Sequence, residues 1–186
     1  MKQTQMWTYI FVIFLTLQSQ CSACIWLGQY NLVSAESLKW LREMDGQYPE
    51  EMKVPFPRTL YNFIGNAKVE DQVRFLVLTL DQIISLMDAR EHMNSEQWNL
   101  TTVEYILQDL RRQSSELKEC VAQYQKPSHM ESYKKEIIRH FRTLKKSLKK
   151  EKYSTHAWEK IRRAVITHLQ RMDIIANNAN KSLERV

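Results

Sequence analysis

The chain has 186 residues, a formal charge of +6 and 44% hydrophobic residues. That length suggests one domain, large enough to bury a core of its own. The basic charge admits polyanion partners, but there is no zinc spacing and no base-stacking motif, so nucleic acid is not the expected partner.

The N-terminus reads as a secretory signal peptide. Lys2 supplies a positive start, and residues 6–17 form an apolar run broken only by Thr8 and Thr16. Cys21, Ser22 and Ala23 give small residues at the cleavage positions. An uncleaved anchor is the weaker alternative, because the run is short for a membrane span. Residues 1–23 are therefore expected to be removed and 24–186 to form the folded domain. No later segment is long and apolar enough to span a bilayer, so stable membrane insertion is not expected. Losing Lys2 takes the charge from +6 to +5. The cysteines stand at 21, 24 and 120. Removing Cys21 leaves two, which in a secreted protein reads as one disulfide, Cys24 to Cys120. Two free thiols would be unusual in an oxidising compartment.

The periodicity predicts a first helix over 32–44, with Leu38, Leu41 and Met44 at helical spacing and Trp40 beside them. Most of the breakers, Gly46, Pro49, Pro55, Pro57 and Gly65, then cluster together. Residues 47–65 are expected to form a long loop or strap pinned by Phe56, Leu60, Tyr61 and Phe63. A second helix is expected over 68–90 behind Asn66 as N-cap, with a broad stripe from Val69 to Met87 that implies more than one neighbour. A third covers 95–124, from Trp98 through Leu110 and Leu117 to Tyr124. Pro127 ends it, and Ser128 with Glu131 has the spacing of a capping box for a fourth helix over 129–150. Lys145, Lys146, Lys149 and Lys150 lie at its C-terminal end, where cations suit the helix dipole. A solvated helix face is the stronger reading of those lysines, ahead of a dedicated polyanion site. A fifth helix starts at Ser154 or Thr155 and runs to about 177, burying Trp158, Ile161, Val165, Leu169 and Met172. Five long helices, no alternating strand pattern and a long first connector give an all-α bundle with up-up-down-down connectivity.

Chemistry finds no foothold. There is no His-Glu-x-x-His, no glycine-rich phosphate loop and no Gly-x-Ser-x-Gly. The histidines at 92, 129, 140, 156 and 168 have no ligand spacing, so no metal, cofactor or catalytic residue is expected and the protein is read as no enzyme. Two Asn-x-Ser/Thr sequons, at Asn99 and Asn180, are candidate glycosylation sites. Asn180, in what reads as a polar tail, is expected to be the more accessible.

One stretch is more specific. Tyr153, Ser154, Ala157, Trp158, Glu159 and Arg162 follow a lysine-rich segment. They resemble the Tyr-Ser-x-Cys-Ala-Trp-Glu-x-x-Arg pattern that opens the last helix of type I interferons. His156 stands where many mammalian members have a cysteine of a second disulfide, and no partner cysteine occurs in 47–65. Trp98 through Cys120-Val121 is similar to the family's cysteine-bearing helix, and Val54-Pro-Phe-Pro57 loosely to its loop motif. Cys24-Ile-Trp26 resembles the start of the mature chains in the two-cysteine group of teleost fish interferons. The resemblance implies a long-chain helical cytokine bundle of five main helices. It implies a secreted, extracellular antiviral cytokine, expected to act as a monomer. Such a cytokine bridges two class II cytokine receptor chains and signals through receptor-associated kinases (JAK-STAT) to antiviral gene expression. It places the tighter receptor chain on the first inter-helix loop and the final helix. The candidate residues are Phe56 and Arg58 on the loop and Arg162, Arg163, Ile166 and Thr167 on an exposed face of the helix. The second chain would meet the second to fourth long helices. From the residues alone, the competing class is a secreted amphipathic-helix lipid carrier or a cationic membrane-active protein. The aromatic-rich seams and the long covalent loop favour a closed core instead.

Overall fold

The computed structural model describes residues 24–44, 54–93, 98–122, 124 and 130–185. Among these it has six α-helices and no strand. They are α1 (Trp26–Glu43), α2 (Arg58–Gly65), α3 (Val69–Met87), α4 (Leu100–Ala122), α5 (Met130–Lys150) and α6 (Thr155–Leu183), with a 3₁₀ turn, Asp88–His92, after α3.

The five long helices are the expected ones, with shifted ends. α1 begins six residues earlier than the spacing suggests, because Leu27 and Tyr30 extend its buried stripe. α6 continues past 177 for the same reason: Ala179 is buried and Leu183 packs against the core. The expected strap turns out to be partly helical. In α2, Leu60, Tyr61 and Ile64 are buried while Phe63 is 60% exposed. Helical rotation puts Ile64, one turn after Leu60, on the inner face and swings Phe63 out. Phe63 therefore does not pin this segment. Asn66 is also not the N-cap of α3. It caps the C-terminus of α2, its amide donating to the Asn62 carbonyl, and α3 starts after Lys68 without a side-chain cap. Glu70 and Asp71 in the first turn of α3 suit its dipole instead. The expected capping serine, Ser128, lies outside the described residues.

Cross-links between helices give their directions. Ser37 bonds to Asp109, Trp40 stacks on Tyr105 and a disulfide joins Cys24 to Cys120, so α1 and α4 are antiparallel. Arg74, Asp81 and Asp88 meet Tyr124, Lys118 and Arg111 in that order, so α3 and α4 are antiparallel as well. Asn31 meets Asn177 and Leu41 meets Arg162, which makes α6 antiparallel to α1. Hence α1 and α3 run up while α4 and α6 run down, and the long first connector permits α1 and α3 to run parallel. α5 runs up beside α3, with Tyr133 at Asp71 and Phe141 near Leu86.

The core is continuous from Tyr30 and Leu41 through Phe75, Leu76 and Leu80 to Trp158 and Leu169. Trp158 is 2% exposed; its indole N–H donates to the His92 carbonyl and its ring lies 5.9 Å from that of Trp98. The turn into α6 contains no glycine. Tyr153 N–H donates to the Leu148 carbonyl and Lys152 N–H to that of Lys149, with Lys152 at φ 52° and Tyr153 at φ 55°. This is a Schellman motif with lysine at the left-handed position that glycine usually takes. Ser154 then caps α6, its hydroxyl accepting from Ala157 N–H.

Candidate functional site: the groove between the first connector and the last helix

Two prolines shape the segment ahead of α2. Pro57 sits at φ −82° and ψ 68°, and Arg58 N–H donates to the Phe56 carbonyl at 2.9 Å. That is an inverse γ-turn, whose φ the pyrrolidine ring favours. It turns the Phe56 ring inward, 4.7 Å from Tyr61 and 5.0 Å from His168. Phe56 is thus half-buried, and it is the ring that holds this segment against α6.

Between this segment and α6 lies an open groove of about 570 Å³. Val54, Phe56 and Arg58 line one wall, and Arg163, Ile166, Thr167, Gln170 and Arg171 the other. The structure thereby brings together five of the six residues singled out from the sequence. Val54, Gln170 and Arg171 were missed, although Arg171 lies eight residues from Arg163, on the same helical face. A second groove of about 220 Å³ shares Arg171 and continues along α6 past Ile174 to Asn178, facing Asn62 and Asn66. Ile174 is 50% exposed there.

The sixth residue, Arg162, is a correction. It is expected on an exposed face, yet it is 5% exposed and is not part of the wall of this groove. Its Nε and Nη2 each donate to a Glu159 carboxylate oxygen at 2.7 Å, and Nη1 donates to the Leu41 carbonyl of α1. Glu159, itself 1% exposed, also accepts from Arg163 Nε at 2.7 Å. Burial alone would push the Glu159 carboxyl up. The hydrogen bonds from Arg162 and Arg163 together outweigh it and hold the group below the usual carboxylate range. Arg163 has one side in this cluster and one in the groove. Thr167 turns its hydroxyl back to the Arg163 carbonyl, leaving its methyl for the groove.

Behind Phe56 is a buried polar chain. His168 Nδ1 lies 2.6 Å from the Tyr61 hydroxyl and its Nε2 lies 3.0 Å from His140 Nε2. Burial, and then the proximity of His140, pushes His168 well below the ordinary histidine range; burial lowers His140 too. Two facing Nε2 atoms make one hydrogen bond only if one donates and the other accepts, so the pair is built for neutral rings.

Among the described residues no group of His, Cys, Asp or Glu could hold a metal ion, and no helix is long and apolar enough to cross a membrane. The sequons differ from expectation in exposure. Asn99 is exposed and its Oδ1 accepts from Thr101 and Thr102 N–H at the start of α4. Asn180 is half-buried in the last turns of α6, beside Gly28, and donates to Glu184.

The interferon alpha/beta domain model matches residues 27–179. The chain belongs to the interferon alpha/beta family. It is 38% identical over 175 residues to interferon a3 of Oncorhynchus mykiss, covering 92% of this chain and 95% of that one. The solved structure of zebrafish interferon 1 superposes with a TM-score of 0.78 at 62% identity, covering 83% of this chain and 98% of the other. Both similar proteins come from fish, as the Cys24-Ile-Trp26 start suggested. Family membership makes the chain a type I interferon of the helical cytokine fold, a receptor-binding cytokine with an antiviral role, and not an enzyme. Interferons are secreted proteins. The lipid-carrier and membrane-active alternatives give way to this assignment.

Proposed function

We propose that this interferon bridges two class II cytokine receptor chains, the tighter one seated in the groove between residues 54–58 and α6. The observation that carries this is convergence: a loop and a helix far apart in sequence supply Phe56, Arg58, Arg163, Ile166 and Thr167 to one open groove. Arginine is among the residues that concentrate binding energy at interfaces, and this groove carries Arg58, Arg163 and Arg171. The groove is already formed without a partner, which reduces the ordering cost of binding. The second chain meets the face built by α3, α4 and α5. Bridging brings receptor-associated kinases together and starts JAK-STAT signalling and antiviral transcription. Residues 1–23 act as the signal peptide, the mature chain begins at Cys24 and circulates as a monomer. Asn99, exposed and with its amide nitrogen still available, is the more accessible glycan acceptor of the two sequons.

Alanine at Arg58 and at Ile166, each alone, should weaken binding to the purified tight-binding receptor chain by more than about 1 kcal/mol. Unfolding should be unchanged, and Lys149→Ala should have little effect on this binding. Receptor affinity equal to wild type in both groove variants would move the site elsewhere. The signalling step is read separately, as phosphorylation of signal-transducing transcription factors in fish cells given the purified protein.

A further inference from the structure

Residues 139–150 of α5 contain six cations, Arg139, Arg142, Lys145, Lys146, Lys149 and Lys150, and no acid. All six are exposed, and among the described residues none of them forms an ion pair. They fall on two adjoining helical rows, 139–142–146–150 and 142–145–149. The nearest acid at the helix end, Glu151, is turned away to Lys160 at 2.9 Å, with Ser147 and His156 on its other side.

A solvated face with a favourable dipole does not account for this row. The dipole acts within the last turn, which covers Lys149 and Lys150 only. Arg139, Arg142, Lys145 and Lys146 lie beyond it. Cations four apart on a helix repel, and 142–146, 145–149 and 146–150 are such pairs. The fold thus keeps an arrangement that works against the helix, and a bound polyanion would relieve it. Arg142 and Lys145 also stand at the rim of a groove of about 230 Å³. Its far wall is Gln82 and Ser85 of α3, neutral side chains able to donate hydrogen bonds to an anion.

We propose that this face of α5, with Gln82 and Ser85, binds a sulfated polysaccharide of the cell surface. Sulfate groups sit against Arg142 and Lys145 in the groove, and the chain follows the cationic rows along α5. From Arg139 to Lys150 the helix extends about 16 Å, room for several sulfates in line. A polysaccharide is favoured over a lipid surface because the large exposed apolar side chains of the described residues, such as Ile25, Leu32, Phe63 and Ile174, are none of them on α5. A membrane-binding helix needs an apolar wedge beside its cations. The groove for the tighter receptor chain is a different surface, so both ligands can be held at once.

The experiment uses the full mature chain on immobilised heparin, with a salt titration, beside vesicles of an anionic phospholipid. One variant carries Arg142→Gln, Lys145→Gln and Lys149→Gln. A control of equal charge carries Lys39→Gln, Lys68→Gln and Lys181→Gln, three exposed lysines outside α5. The α5 variant should lose about tenfold or more in heparin affinity near physiological salt, and its salt dependence should flatten by a slope of about 3. The control should behave like wild type, and both variants should melt and bind the tight receptor chain as wild type does. Equal losses from the two triples would show net charge alone at work and overturn the site. Tighter binding to the vesicles than to heparin, or no heparin retention of wild type at physiological salt, would overturn the polysaccharide.

Discussion

Arg162 reaches from the last helix to the Leu41 carbonyl in the last turn of the first, a 2.5 Å bond between residues 121 apart in sequence. That carbonyl is one of the four at a helix C-terminus that lack an intrahelical donor, and it lies at the negative end of the α1 dipole. Arg162 satisfies it while both Glu159 oxygens hold the guanidinium in place. Truncating it leaves the buried Glu159 carboxylate with Arg163 alone and removes the side-chain donor to the Leu41 carbonyl, so Arg162→Ala should lower unfolding free energy by roughly 3–5 kcal/mol. Urea denaturation measures that loss. A variant as stable as wild type that nevertheless failed to bind receptor would return Arg162 to the contact surface.

The histidine pair gives a pH dependence with a definite sign. In the unfolded chain His140 and His168 take up protons near their ordinary pKa of about 6.5. In the fold both resist protonation. The unfolded state therefore binds more protons below that pH, and stability falls as pH drops from about 6.5 toward 5. Asp173 opposes this. Burial pushes it up to about 6, so the fold binds its proton first and gains stability as pH falls through that region. Two histidines against one carboxyl leave a net loss. His168→Gln should flatten the slope of unfolding free energy against pH, by at most about 1.4 kcal/mol per pH step for one proton. An unchanged slope would mean that the neutral pair does not set it.

Lys152 occupies the left-handed position of the Schellman turn at a steric cost that glycine avoids. Lys152→Gly should raise unfolding free energy by about 0.5–1 kcal/mol, after the greater freedom of glycine in the unfolded chain is subtracted. A drop in stability would point to a contact made by the lysine stem.

The Cys24–Cys120 bridge spans a sequence separation of 96. Cys120→Ser paired with Cys24→Ser should cost roughly 2–5 kcal/mol, near the upper part of that range for so long a loop. Thermal melts of the double variant measure this, and a melting temperature within a degree of wild type would contradict it.

How legible these features were depends on which signal carried them. The Trp158 seam was plain, since residues 158, 161, 165, 169 and 172 recur at helical spacing and all are buried. Arg162 and His168 obey the same spacing, four after Trp158 and four before Met172, and both are buried with it. Their chemical identity argued for the surface. Arg162 has a local partner in Glu159, three residues before it. The groups that complete the burial, the Leu41 carbonyl of α1, Tyr61 of α2 and His140 of α5, are distant in sequence, and no local pattern announces them. The eight-residue α2 escaped notice because Pro55, Pro57 and Gly65 bracket a window too short for periodicity to outweigh the breakers. The groove was half legible: residue types and family resemblance gave its two walls, while Arg171 needed the helix face to be followed one turn further.

The first helix is fastened at both ends, covalently at Cys24 and through Arg162 at Leu41, and the γ-turn at Pro57 is fastened separately by the Phe56 ring. Both walls of the groove are therefore held by contacts among residues that are distant in sequence. Divergence between lineages, or a redesign of the groove's own side chains, can change what it binds without changing its shape, so long as Cys24, Arg162 and Phe56 keep their partners.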